Sequence, residues 1–267
     1  MSTTKSLSEA LLNVEKPPLE RGKQVDAVVR AVNILRYLVL SQQPATVTLL
    51  ARELGLNQST CFNILQTLVR EDFIQFDPVT KTYALSLGVV ALAKGAIDQN
   101  SELRTLEPHL QRVADIHNIM VTVWRRVSDN RNMLVSVAEC DQPIRMRAVV
   151  GTRCPLLLGA AGRVFTAFSD LELPELKARF SQLRWGSPID FDTYHRQLQE
   201  TRDRSWSIDS GYYHPGTVII GAPVFDSAGK LILSTSATMF NGQHSEEKLA
   251  DIAGELLAIG RTALRPR

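Results

Sequence analysis

The sequence predicts an α+β protein in two parts: a winged helix-turn-helix at the N-terminal end, then a larger domain in which a curled sheet is surrounded by helices. Three observations carry that expectation. Residues Thr46 to Leu85, TVTLLARELGLNQSTCFNILQTLVREDFIQFDPVTKTYAL, read as helix, tight turn, helix and two-stranded hairpin. Beyond Asn100 the texture changes to strand-like runs between amphipathic helices. A chain of 267 residues also suits two domains better than one, at roughly 100–200 residues per domain.

Taken in order, residues 1–22 are polar and contain Pro17-Pro18, so they predict an arm outside the folded domains. Val28, Ala31, Val32, Leu35 and Leu38 recur at helical spacing and place a first helix over about Val25 to Leu40. Pro44 ends it. A short helix follows with Leu49, Leu50, Ala51 and Leu54, and either Thr46 or Thr48 is its N-cap. Gly55 stands where a helix end wants positive φ, and Asn57 can cap the next helix, about Gln58 to Glu71. That helix turns Cys61, Ile64 or Leu65, and Leu68 inward. Phe73–Phe76 and Lys81–Leu85 form the hairpin around Asp77-Pro78. A helix rich in small and apolar residues runs from Ser86 to about Gln99. The chain thus divides into an arm (1–22), a winged helix-turn-helix domain (23–85), a linker helix (86–100) and a second domain (101–267).

In that second domain a helix spans Ser101 to about His117, with Pro108 inside it. Three runs, IMVTVWRR, NMLVSVAEC and IRMRAVV, read as strands, the first two joined by SDNR. CPLLLGAAGRVFTAF turns into a helix, and further helices lie around Leu173–Phe180 and Phe191–Arg204. VIIGAPVF and KLILSTSATMF pair across the turn DSAGK, and a last helix covers Ser245 to about Arg261.

Composition narrows the function classes. Hydrophobic residues are 44% and charged residues 22%, ordinary for a globular protein. A net charge of +2 is a weak electrostatic footprint, so any contact with nucleic acid rests on local arrangement. Cys61, Cys140 and Cys154 show no metal-ligand or disulfide spacing, which predicts no metal, no cofactor and a reduced, cytoplasmic protein. The N-terminal stretch lacks a signal peptide's apolar region, and no apolar run is long enough for a membrane span. Cys154 before Pro155 lacks any Cys-His-acid signature, so no catalytic residue is expected. A binding protein or small-molecule hydrolase carrying a vestigial winged helix is the competing class.

Three segments resemble the IclR family of bacterial transcriptional regulators: VDAVVRAVNILRYL with the helix-turn-helix that follows it; GTRCPLLLGAAGRVFTAF; and GYYHPGTVIIGAPVFDSAGKLILSTSATM. The resemblance covers about Val25 to Arg261. It implies a DNA-binding winged helix, a linker helix and a GAF-like effector-binding domain with an antiparallel sheet. It also implies homodimers, often homotetramers, that bind double-stranded operator DNA, and an effector that is a small organic acid.

Each site has a chemical reading. Gln58, Ser59, Thr60 and Asn63 sit early in the second helix of the motif, where such helices reach base edges and phosphates in the major groove. Gln66, Thr67 and Arg70 continue that polar face. Arg52, and Lys81 in the wing, are candidates for phosphate contacts. The family commonly has arginine where this chain has Asn63. For the effector, Gly159, Ala160 and Ala161 open a helix whose unpaired N–H groups can receive a carboxylate. By resemblance, Ser236 and Thr238, on one face of the last strand, point inward as hydroxyl donors. Tyr213 and His214 lie in an aromatic, neutral stretch, Tyr212–His214, where the family usually carries an acid. That exchange favours a flat or aromatic acid.

Overall fold

The computed structural model describes residues 25–98, 101–144 and 146–262, in two compact units divided between residues 100 and 101. The arm expected over residues 1–22 lies outside the described residues, as do residues 99 and 100 of the expected linker.

The first unit comprises α1 (Asp26–Ser41), β1 (Ala45–Thr46), α2 (Val47–Glu53), α3 (Gln58–Arg70), β2 (Ile74–Asp77), β3 (Thr82–Leu85) and α4 (Gly88–Asp98). Thr46 is the N-cap of α2, its hydroxyl accepting the Leu49 N–H at 3.2 Å. Gly55 takes a φ of 63°, as a turn after a helix requires. Asn57 is the N-cap residue of α3, but its side chain makes no capping bond. Of the alternatives facing inward from α3, Leu65 is buried with Cys61 and Leu68. These pack on Ile34, Tyr37 and Leu38 of α1, Leu50 of α2 and Tyr83 of β3. The hairpin gains a strand that sequence reading did not assign: β1 pairs with β3, giving the order β1-β3-β2.

The second unit comprises α5 (Ser101–His117), β4 (Met120–Ser128), β5 (Arg131–Ala138), β6 (Arg153–Pro155), α6 (Gly159–Ala167), α7 (Leu173–Ser181), α8 (Phe191–Arg204), β7 (Ser207–Ser210), β8 (Thr217–Phe225), β9 (Leu231–Phe240) and α9 (Glu246–Thr262). Its sheet has the order β6-β5-β4-β9-β8-β7, with every neighbouring pair antiparallel. The two-residue side-chain period divides the strands between two faces. Val121 and Val123, Ile220 and Val224, and Ala237 and Met239 join Leu110, Ile252 and Leu256 of α5 and α9 in one core. The intervening residues Thr122, Trp124, Ile219, Ser236 and Thr238 turn the other way, towards α6 and a cavity. A further apolar cluster joins α6, α7 and α8 through Phe165, Leu176, Tyr194 and Leu198.

One expected strand is absent. IRMRAVV alternates like a strand, yet the described residues from 144 to 150 are irregular, and Ile144 is 79% exposed. The edge of β5 is already taken. Gly151 donates to the Leu134 carbonyl, Leu134 donates to the Thr152 carbonyl, and β6 pairs with Arg131–Met133. The displaced segment runs beside the cavity, which Met146, Arg147, Ala148 and Val149 line. Among the described residues no helix is long and apolar enough to cross a membrane.

Candidate functional site

In the first unit, α3 presents a continuous outer strip. Ser59, Phe62, Asn63 and Arg70 are exposed at helical spacing, with Gln66 half-buried between them. Gln58 begins the strip and donates its side-chain amide to the Thr48 hydroxyl at 2.8 Å. Thr67 is exposed at the margin, with its hydroxyl bonded back to the Asn63 carbonyl at 3.0 Å. Thr60 lies at the opposite margin and is half-buried. Arg52 on α2 is exposed but forks onto Glu53 at 2.9 and 3.1 Å, so its charge is largely offset. Lys81 stands at the tip of the hairpin in a left-handed conformation, φ 55°. The turn before it is tied by Asp77, whose carboxylate accepts the Val79 N–H at 2.8 Å and the Thr80 hydroxyl at 2.7 Å. Those bonds hold the Asp77 carboxyl below its ordinary pKa. Phe62, 47% exposed, was not anticipated. Its three-residue offset from Ser59 was the available signal.

In the second unit a cavity of about 560 Å³ opens over the hydroxyl-bearing face of the sheet. It brings together all seven residues singled out for the effector: Gly159, Ala160, Ala161, Tyr213, His214, Ser236 and Thr238. The elements explain the convergence. The chain turns from β6 into α6 through Leu158, whose side chain caps nothing, so the N–H groups at the start of α6 find no cap there. Gly159 has a φ of 68°, and the Tyr213 ring lies 3.2 Å from where its Cβ would be. Ser236 is the cross-strand partner of Gly221, and a Cβ on Gly221 would come within 2.9 Å of the Ala160 backbone. The register therefore sets Ser236 beside the start of α6. Ser236 is 1% exposed, and its hydroxyl has no hydrogen-bond partner among the described residues. A buried polar group left so costs about 1–3 kcal/mol, and here it borders a cavity. Three N–H groups carrying the positive end of a helix, with a hydroxyl beside them, match a carboxylate.

The walls are mostly apolar and neutral. Met120, Leu134, Val149 and Ile219 contribute, and among the described residues no acidic side chain lines the cavity. The Tyr213 hydroxyl lies 3.1 Å from Cys154 Sγ, and the ring of His214 is 3.9 Å from that of Tyr213. Burial pushes the Cys154 thiol and the Tyr213 phenol above their ordinary pKa values. Partial desolvation pulls His214, which is otherwise exposed, below the ordinary histidine value, against a smaller opposing effect of Asp209.

Beneath the start of α6 lies a fully buried ion pair that sequence reading passed over. Arg163 Nη1 reaches Asp209 Oδ2 at 2.6 Å and the Gly159 carbonyl at 3.0 Å. Asp209 Oδ1 accepts the Tyr213 N–H at 3.0 Å. Trp185, Tyr194 and Tyr212 surround the guanidinium, with ring centroids 5.2–5.8 Å away. Arg163 therefore ties two walls of the cavity, Gly159 and Tyr213, to one buried charge. Asn132, Thr122, Trp124 and Arg147 also line the cavity and were missed. Alternation along the strands was the only sequence signal for the first three.

Comparison with known proteins follows the same division. Residues 27–78 match the IclR helix-turn-helix domain, and residues 96–263 match the C-terminal domain of the bacterial transcriptional regulator IclR. The chain is 25% identical over 245 residues to the HTH-type transcriptional repressor AllR of Escherichia coli K12, covering 91% of this chain and 89% of that one. Among solved structures it is similar to an IclR transcriptional regulator from Alicyclobacillus acidocaldarius, with 26% identity, a TM-score of 0.76, and coverage of 90% of this chain and 98% of the other. An IclR homologue from Microbacterium hydrocarbonoxydans, solved with 4-hydroxybenzoate, has the same fold at 18% identity and a TM-score of 0.73, covering 90% and 99%.

Proposed function

Because the chain belongs to the IclR family of bacterial transcriptional regulators, which are DNA-binding proteins rather than enzymes, we propose that a small organic acid bound in the second unit controls how the first unit occupies its operator. Residues 23–85 act as the DNA-binding domain, 86–100 as the linker and 101–267 as the effector domain. The strip on α3 enters the major groove, with Ser59, Asn63, Gln66 and Arg70 central and Gln58, Thr60 and Thr67 at its margins. Lys81 contacts the backbone from the wing, and Arg52 does so once released from Glu53. Two copies in a homodimer, or four in a homotetramer, read half-sites about 34 Å apart or a multiple of that.

The observation that carries the effector reading is the buried Ser236 hydroxyl, without a partner among the described residues, beside the N-terminus of α6, which no side chain caps. A carboxylate answers both. The apolar walls and the Tyr213 ring favour a flat or aromatic acid, and a family relative binds 4-hydroxybenzoate. Repression is the favoured mode, since AllR, which is similar over most of the chain, is a repressor. The ligand changes operator occupancy only by its differential affinity for the two arrangements of the protein.

The test is footprinting on the DNA flanking the protein's own gene, with and without millimolar aromatic acids. Salt-sensitive, sequence-specific protection that an acid alters is expected. Absence of specific protection removes the operator reading. Protection that no acid changes, together with an unshifted melting temperature, removes the effector reading.

A further inference from the structure

A second buried polar atom borders the same cavity, and it asks for the opposite chemistry from the α6 N-terminus. Asn132 on β5 is 1% exposed. Its Nδ2 donates to the Leu156 carbonyl at 3.0 Å, which fixes the amide orientation and leaves Oδ1 as an acceptor. Oδ1 has no partner among the described residues. An amide carbonyl cannot be satisfied by a carboxylate. It requires an N–H or O–H donor.

We infer that the effector carries, in addition to its acid group, an uncharged hydrogen-bond donor that Asn132 Oδ1 receives. The inference rests on the acid-binding reading above and specifies the ligand's other end. Three observations fix the class. The separation is short: Leu156, bonded to Asn132, precedes Gly159 by three residues, a chain reach of at most about 11 Å. Tyr213 spans the same gap, its ring against Gly159 and its hydroxyl 3.1 Å from Cys154 Sγ. Cys154 is the cross-strand partner of Asn132, so the two side chains share a face. One substituted aromatic ring therefore has the required length. The donor is neutral because no acidic side chain among the described residues lines the cavity, and an ammonium group would be stranded without a counter-charge. The class is a hydroxy- or amino-substituted aromatic acid.

The test is calorimetric titration of the full chain with benzoate, with 3- and 4-hydroxybenzoate, and with their methoxy counterparts. A methoxy group keeps the oxygen and the size but removes the donor. At least one hydroxybenzoate is expected to bind about tenfold or more tightly than its methoxy partner, the difference a buried acceptor makes when satisfied or left bare. Asn132→Leu is expected to narrow that ratio below about threefold. Equal affinities within both hydroxy and methoxy pairs for the wild-type chain overturn the assignment to Asn132 while leaving the acid subsite standing. Failure of all five acids to bind overturns the acid subsite and the donor together. The wild-type comparison stands even if the variant does not fold.

Discussion

At the scale of single residues the cavity is governed by which polar atoms are left over. Sequence alternation was enough to put Ser236 and Thr238 on one face. It could not distinguish Ser236, whose hydroxyl has no partner, from Ser207, whose hydroxyl is spent on the Ala160 carbonyl at 2.8 Å. That difference depends on neighbours remote in sequence, which is also why Asn132 and the Arg163–Asp209 pair were not legible. Removing one member of such a buried pair costs about 3–5 kcal/mol, so its partners constrain the cavity strongly. His214 yields a pH prediction. Its pKa is lowered in the folded protein, so the unfolded chain takes up the proton first as pH falls. The contribution of neutral His214 to stability is complete above the ordinary histidine range and declines as pH falls through it. His214 is exposed, so solvent screens the effect, and the melting temperature of His214→Gln should fall only slightly less than that of the wild type between pH 7.5 and 5.5. Identical slopes in the two proteins would contradict the assignment.

At the scale of elements, most helices and both long hairpins were legible because each carries its own period and punctuation. Phe191–Arg204 begins at Asp190, whose carboxylate accepts the Thr193 N–H at 2.7 Å. The misread segment, IRMRAVV, shows the limit of periodicity. Alternation makes a strand possible, but a strand also needs an open edge, and residues 151–155 had already closed the edge of β5. The strands β1, β6 and β7 were missed for the converse reason. They have two, three and four residues and no run of β-branched side chains, so pairing rather than propensity creates them. The contact between β8 and α6 permits a sharp test. A Cβ on Gly221 would lie 2.6 Å from Ser207 Oγ and 2.9 Å from the Ala160 backbone. Gly221→Ala should lower stability by about 1–3 kcal/mol in urea unfolding, and it should weaken acid binding by displacing the start of α6. A variant with unchanged midpoint and affinity would show that this close approach does not set the cavity.

At the scale of the whole molecule, the division was visible as a change of texture near Asn100, and each unit encloses its own apolar core. The net charge of +2 gave no warning of a DNA-binding domain, because the outer strip on α3 carries the neutral side chains of Ser59, Asn63 and Gln66 and only one cation, Arg70. Among the described residues, the core of the second unit is built from Leu103 onward. Residues 101–267 expressed alone should therefore melt cooperatively and show the same thermal shift with aromatic acids as the full chain. A fragment without a cooperative transition would mean that its stability depends on the first unit.

Trp124 gives the cavity a property separate from its chemistry. Its indole lines the cavity, and Nε1 is bonded to the Thr122 hydroxyl at 3.0 Å. The other two tryptophans are each held by a cation: Trp206 by Arg204 at 3.8 Å and Trp185 by Arg163 at 5.8 Å. Of the three indoles, Trp124 is the one whose surroundings a ligand in the cavity would alter directly. Occupancy is thereby written into the protein's own fluorescence, and the molecule carries its own optical reporter.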